Sequence, residues 1–539
     1  MSFVHLHTHF ETSYMDGTIR LERGAKIADE LGQKALAITD HGTLAGTYKH
    51  FLACNKAGIK PILGVETYLA IGSRFDHRYR VEDGKQKRYE HLTLLAKNRA
   101  GWENLVTLQA AAHESYWYKP RIDFDLLSEH SEGLICMTGC LAGPYLGELA
   151  KVPGAKALAT DFKAELAKVR EKHDLPKASL EELIARLATI ETDTAKSAGS
   201  KAMALLDARG GKDRAVANLK RLRDIFGEEN LVVELMEHGI EKESTIVPLA
   251  ASIASEHGIR CVATGDAHYE KEGDAAMHDA WLALSTGAGA RLDNKDRLVF
   301  DGEGYFLCSE SQMRAKRSED FWGRAVSNTA EVASMIDEDV LPERKLYLPA
   351  FPTPKGKTEK EYLVEKVKAG AKKHYGAKLP DEVRARLNRE LKVIDQMGMC
   401  SYFLIVEDVI SWAKSEVSAK DWIAGKRNKK SKTPILVGPG RGSVGGCLLA
   451  YCLGIHDTDS LRSDLMFERF IDPSRVGMPD VDTDFEKERR DEILDFLVLR
   501  WGAGHVLQLG TLSTRGVKDA IDSGARLLGI TVKDAATLK

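Results

Sequence analysis

Nowhere in these 539 residues does an apolar run reach the ~20 residues that a membrane-spanning helix requires. The opening Met1-Ser2-Phe3-Val4-His5 lacks the basic start and apolar stretch of a secretory leader, so a cytoplasmic protein without a membrane partner is expected. No CxxC pair occurs. The eight cysteines are scattered, with only Cys136 and Cys140 close together, which excludes a disulfide framework and favours a reducing compartment. Neither sign of charge dominates: 77 Lys and Arg against 80 Asp and Glu leave a net charge of −3. That balance neither demands nor forbids a nucleic-acid partner, because a basic stripe can sit inside a near-neutral total. No internal repeat is visible. The 43% apolar and 29% charged content excludes collagen-like, low-complexity and wholly disordered classes. A chain of this length exceeds one hydrophobic core, and two to four domains are expected.

Residues 1–283 alternate short apolar runs, at 35–39, 60–63, 133–137, 230–234 and 260–264, with amphipathic stretches. Such alternation predicts a βα-repeat architecture, either a barrel or an open sheet. Within it, residues 151–225 are rich in Ala, Lys and Leu and read as a helical insertion. Ser179 and Glu182 form a capping-box pattern, and Leu180, Leu183, Ile184, Leu187 and Ile190 line one helical face. The stretch 318–355, with Pro342, Pro349, Pro352 and Pro354, reads as a linker. A second α/β region follows. It holds a basic loop, with five cations between Lys426 and Lys432, just before the strand-like 434–437.

The first chemical constellation is rich in histidine. His5, His7 and His9 alternate in a strand-like run, so that His7 and His9 can converge on a metal. Asp16 follows in a turn. Further apolar runs end in ligand-type residues: Asp40-His41, Glu66, Cys140, and Asp266 with His268; His91 opens another run. In a βα barrel, residues at the strand ends gather at one mouth. Imidazoles with carboxylates and one thiol suit Zn²⁺, Mn²⁺ or Fe²⁺, and so many ligands imply two or three ions. Such a cluster activates water and clamps phosphate, which is hydrolytic chemistry.

The second constellation opens with Gly438-Pro439-Gly440-Arg441-Gly442-Ser443, followed by Gly445 and Gly446. Glycines let backbone amides approach phosphate oxygens, and a helix following them would add its dipole. No Lys-Ser or Lys-Thr follows, which excludes a Walker A loop. A dinucleotide-binding turn lacks its βαβ setting, whereas a plain glycine-rich connector stays open. Beyond it, Asp480, Asp482 and Asp484 alternate and are expected on one strand face, where a carboxylate pair can hold two Mg²⁺ ions for phosphoryl transfer. A helix follows, with Ile493, Phe496, Leu497 and Trp501 facing inward.

The HxH…D…DH…E…H…C…DxH spacing resembles the polymerase-and-histidinol-phosphatase (PHP) family. Both constellations together resemble the C-family replicative DNA polymerases, the bacterial DNA polymerase III alpha subunits. The runs Ser2 to His7, Gly58 to Glu66, Ser401 to Val406, Gly438 to Ser443, Leu465 to Phe470, and Met478 to Asp482 carry the resemblance. The resemblance implies an α/β chain: a distorted seven-stranded PHP barrel over residues 1–283, then a linker and the first segment of an α+β palm of the beta-type nucleotidyltransferase kind over 284–511. The start of a thumb would occupy 512–539. It implies that His7, His9, Asp16, His41, Glu66, His91, Cys140, Asp266 and His268 ligate the PHP metals, in a domain acting as a 3′–5′ exonuclease. It also implies that Asp480 and Asp482 are catalytic with Mg²⁺, and that Arg441, Gly442 and Ser443 hold a deoxynucleoside triphosphate against a DNA primer-template. Val444 is bulkier than the family pattern at that place. The family uses a third palm aspartate and fingers that do not occur before Lys539. Polymerisation is therefore expected only with a second chain that carries them and any sliding-clamp contact. The alternative is a stand-alone PHP-type metallophosphoesterase with a palm remnant.

Overall fold

A computed structural model describes all residues except 1–2, 78, 83–84, 153–154, 176, 287–290, 344–346 and 473–477. The chain divides into two units, Met1–Glu343 with Arg515–Lys539, and Arg344–Thr514. The first unit is of the expected mixed α/β class, whereas the second is helical with extended segments in place of the expected strands. Among the described residues no helix is long and apolar enough to cross a membrane, and all eight cysteines are free thiols.

The apolar runs of the first unit become a seven-stranded sheet. Its order is Ala35–Ile38, Lys60–Ala70, Tyr89–Ala96, Leu134–Met137, Leu231–Met236 and Arg260–Thr264, with the short Arg121–Ile122 also paired to Lys60–Ala70. Runs this short and this apolar survive as strands because helices cover them. Leu36, Ile62, Leu94, Ile135, Val232 and Val262 are all inaccessible. Most neighbours are parallel, but Tyr89–Ala96 is antiparallel to both of its partners, which distorts the barrel. The segment from His5 to Phe10 closes the ring. It forms no continuous strand; His5 bridges Leu36 at one sheet edge and Thr8 bridges Ala267 at the other.

The expected insertion is helical, with Ala155–Arg170, Leu180–Leu187 and the 34-residue Asp193–Phe226. Ser179 and Glu182 form the capping box. Leu183 and Leu187 pack with Phe162, Ala198 and Leu205 in a small core of their own. The stretch read as a linker is in part a helix, Asp320–Ser334. Its Trp322, Ala325 and Val326 enter the barrel core, and Lys60 donates to the carbonyl of Ala333 at its end (3.0 Å). The prolines that suggested a linker all lie beyond it.

The second unit is built on helices Glu359–Tyr375, Asp381–Gln396, Cys400–Ala413 and Arg490–Trp501. Leu363, Phe403, Leu448 and Phe467 share one core, and Trp412 stacks on Phe496 at 4.2 Å. The expected strands at 434–437 and 480–484 are extended segments without a ladder. They meet through the Val437–Phe485 bridge, with Gly438 N–H donating to Asp484 O (2.9 Å) and Glu486 N–H to Leu436 O (3.0 Å).

Candidate functional site

The nine histidine, carboxylate and thiol side chains of the first constellation converge at one mouth of the barrel. His41 follows Ala35–Ile38, Cys140 follows Leu134–Met137, and Asp266 and His268 follow Arg260–Thr264. Glu66 sits within Lys60–Ala70 rather than after it, because that strand runs on through Ala70. His91 lies at the start of its strand. The antiparallel direction of Tyr89–Ala96 brings that start to the same mouth, where His91 is two rungs from the partner of Glu66.

His7 Nε2 lies 3.1 Å from His9 Nε2, 3.7 Å from Glu66 Oε1 and 3.4 Å from Asp266 Oδ1. His9 Nε2 is 3.5 Å from Glu66 and 3.2 Å from Asp266. His41 reaches Asp16 at 3.0 Å and Glu66 at 2.6 Å. His91 Nδ1 is 3.0 Å from Glu66 Oε1, and Cys140 Sγ stands at the edge, 3.9 Å from both. The ring of His268 stacks on that of His9 at 4.3 Å. Three groups are spaced to hold ions: His9, Asp16, His41 and His268; His7, His9 and Glu66; and His41, Glu66 and His91. Asp266 has φ 43°, a left-handed conformation costly for a non-glycine residue and typical of functional sites.

Burial and neighbouring charges compete in the electrostatics. Burial pulls His9 down to about 3, helped by the charges of His41 and His268. For His7 burial acts downward too, but Glu234, Asp266 and Glu66 outweigh it and hold the ring well above its ordinary value. Burial would raise Asp16 and Asp266, yet the surrounding imidazoles keep both far below the usual carboxylate range. Burial, Glu66 and Asp266 push the Cys140 thiol well up, so it can ligate only by releasing its proton. Among the described residues, His268 Nε2 is buried without a hydrogen-bond partner. Buried lone pairs are costly unless paired, and this donor set fits metal ions. Seven of the nine ligand-type side chains, all but His7 and His9, line a cavity of about 400 Å³ whose wall also includes Tyr68, Lys119 and Tyr305.

Sequence reasoning missed Glu234. Its Oε1 accepts from Thr264 Oγ1 at 2.6 Å and lies 2.7 Å from His7 Nδ1. That contact fixes the ring and turns Nε2 toward the cavity. A carboxylate inside the otherwise apolar Leu231–Met236 was the available signal. Asp40, grouped with His41 in the sequence, instead accepts from the Phe10 N–H at 2.7 Å and shapes the turn; burial lifts it to about 7.

In the second unit Arg441, Gly442 and Ser443 are exposed, while Val444 turns into the core. Arg441 lies 3.8 Å from Asp482 and 3.6 Å from Asp484. Gly442 has φ 74°, and a Cβ there would stand 2.8 Å from Asp482 Oδ2. Asp480 lies beside Tyr402, whose hydroxyl is pushed up by burial and by that carboxylate. The helix after the glycines, Leu448–Cys452, has five residues, and its N-terminus is already taken. Buried Glu390 accepts from the N–H groups of Leu448 (3.1 Å) and Leu449 (2.7 Å). The expected helix dipole is thus satisfied from within. The basic loop is largely engaged as well. Lys429 pairs with Asp421 at 3.0 Å, Lys430 with Glu416, Arg427 lies 3.5 Å over the Trp422 ring, and Lys432 donates to the Ala413 and Ser415 carbonyls.

Two family models match: the PHP domain over residues 5–238 and the bacterial DNA polymerase III alpha NTPase domain over residues 361–539. The DNA polymerase III alpha subunit of Treponema pallidum is 34% identical over 538 residues, 99% of this chain and 39% of that protein. That of Mycobacterium tuberculosis is 35% identical over 540 residues, 98% and 39%. That of Thermus aquaticus is 31% identical over 597 residues, 100% and 42%. A solved amidohydrolase from Chromobacterium violaceum, 16% identical with a TM-score of 0.23 over 50% of this chain and 88% of its own, is too remote to carry weight. The chain spans about two-fifths of the length of the relatives it matches, and over that span it is similar to bacterial DNA polymerase III alpha subunits.

Proposed function

We propose that the chain carries the metal-dependent phosphoesterase domain and the first palm segment of a cytoplasmic replicative DNA polymerase, and that the first unit trims DNA from its 3′ end. The gathering of nine ligand-type side chains, seven of them lining one cavity, carries this reading. His7, His9, Asp16, His41, Glu66, His91, Cys140, Asp266 and His268 would hold two or three ions, of Zn²⁺, Mn²⁺ or Fe²⁺. When bound, these would supply an activated water and a clamp on the phosphate. Glu234 holds His7 for ligation, and the strained Asp266 keeps its carboxylate turned to the same ions.

In the second unit Asp480 and Asp482 would bind Mg²⁺, and the Gly442-Ser443 turn would present amides to the triphosphate of the incoming deoxynucleotide. Arg441 would release Asp482 and turn to that triphosphate. Two carboxylates do not fix both ions and the primer hydroxyl, and positioning accounts for most of phosphoryl-transfer catalysis. Extension of a DNA primer-template therefore needs further polypeptide carrying a third carboxylate and fingers, through which any sliding clamp would also act.

Primer extension and 3′-end degradation, assayed with and without such a completing polypeptide, test both halves. Residues 1–539 alone should shorten a strand in a metal-dependent way and not extend it. His9→Ala and Asp266→Asn should each abolish shortening in a folded protein. Freshly purified wild type without bound transition metal would overturn the reading of the first unit.

A further inference from the structure

Outward from the metal ligands the cavity wall continues as rings. Tyr68 stacks on His41 at 5.9 Å and meets Tyr89 edge-on at 4.8 Å, while Tyr89 lies parallel to His91 at 5.9 Å. Lys119 Nζ sits 5.1 Å over the Tyr68 ring. It lines the cavity and ends on Met15 Sδ (2.8 Å). Beside it Trp117 lies flat against His77, 4.8 Å away at 10°. Tyr116 and Tyr118 are 61% and 59% exposed, with the Arg88 guanidinium 4.2 Å from the centroid of Tyr118. Tyr118 has φ 63°. A residue with a Cβ adopts this left-handed conformation only where its surroundings impose it. Here the Trp117–Lys119 bridge and the bond from the Tyr116 hydroxyl to Tyr118 O (2.9 Å) hold it.

We infer that the segment from Tyr116 to Lys119 is a stacking platform for the unpaired end of a DNA strand, which delivers its terminal phosphodiester to the cavity; this rests on the phosphoesterase reading of the first unit. Exposed rings fixed in a strained turn and interleaved with cations match what single strands require. Every base offers a flat face to an aromatic ring, and the cations follow the backbone. In a duplex those faces are covered by neighbouring pairs, and a cavity of about 400 Å³ admits a strand end rather than two paired backbones. Lys119 would meet the phosphate next to the ions, with Tyr116 and Tyr118 holding bases behind it.

The test is photocrosslinking of the full chain in EDTA to a single-stranded oligothymidylate bearing 5-iododeoxyuridine near its 3′ end, with peptide mapping by mass spectrometry. The crosslink should fall within residues 115–121 and be absent with the blunt duplex. Tyr116→Ala should lower its yield about tenfold, the scale of losing one base stack. Tyr118→Gly should do the same with an unchanged or raised melting temperature, since glycine relaxes the left-handed turn. A lowered melting temperature would assign the Tyr118 ring to the fold and overturn its role. Strand shortening by the wild type with crosslinks only in other peptides would overturn the platform and leave this face to a protein partner. A crosslink at 115–121 without any shortening after metal addition would instead remove the phosphoesterase reading and keep the platform.

Discussion

Changing Glu234 to alanine should loosen metal binding while leaving the barrel folded. The Glu234 carboxylate is fully buried and takes hydrogen bonds from Thr264 (2.6 Å) and the Nδ1 side of His7 (2.7 Å). Without it, the His7 ring is free to turn or to place its proton on Nε2, the atom that faces His9 and Asp266. Loss of such an outer carboxylate typically weakens metal affinity by about 10–100-fold, or about 1.4–2.8 kcal/mol. The metal-free protein loses two bonds to a charged acceptor, but it is also relieved of Oε2, which is buried without a partner among the described residues. A net destabilisation of about 1–3 kcal/mol is expected. Glu234→Gln keeps the volume and one acceptor, and should lose about tenfold in affinity. Chelator-competition titration with Zn²⁺, alongside thermal melting of the metal-free proteins, reads both quantities. A Glu234→Ala protein that binds Zn²⁺ within about twofold of wild type would refute the orienting role.

Burial holds His50 and His278 down to about 4, below the unfolded value of 6.5. The unfolded chain therefore takes up their protons first. Their stabilisation is complete above about pH 6.5 and is lost as pH falls toward about 4, by at most about 1.4 kcal/mol per pH unit for each. Urea midpoints across that range should fall less steeply for His50→Gln. Gly370 lies where a Cβ would stand 1.7 Å from the Cys452 carbonyl oxygen, so Gly370→Ala should cost about 1–3 kcal/mol. Limited proteolysis should find the second unit opened while metal content stays unchanged. In a polymerase completed with the missing palm and fingers, Asp480→Ala or Asp482→Ala should each remove primer extension; robust extension by residues 1–539 alone would show that a carboxylate already present, Asp484 being the nearest in sequence, completes the site.

The metal cluster was legible because strand ends in a barrel share a mouth, so polar residues closing apolar runs, such as His41 and Asp266, announce a site before any fold is known. The direction of a strand is not written in its run. His91 therefore stood out of pattern until the antiparallel pairing of Tyr89–Ala96 explained it. Glu234 hid inside an apolar run because its partner lies 227 residues away in sequence. In the second unit the glycines and aspartates were read as two separate motifs, and the structure brings Arg441, Gly442 and Asp482 together. Their strands did not form, since each depends on ladder partners that the local pattern cannot supply. The helix dipole behind the glycines was claimed by Glu390, a tertiary contact with no local trace. The loop cations find Glu416 in the bend and Asp421 in the short helix just before the loop, and a charge count alone could not show that pairing.

The segment from His5 to Phe10 joins the two edges of the sheet, bridging Leu36 on one side and, about 260 positions along the chain, Ala267 on the other. Closing a flexible loop of that length costs on the order of 5 kcal/mol in chain entropy, so the seam should be a late contact in folding and an early one to breathe. Ligand-type residues stand on both lips of it: His7 and His9 on one, Asp266 and His268 on the other. Ions held there would act as rivets, since whatever binds only the closed ring stabilises it by mass action. Amide exchange at His9, whose N–H donates across the seam to Ala267 O at 2.7 Å, would then slow as metal is added, making that proton a gauge of how tightly the barrel is shut.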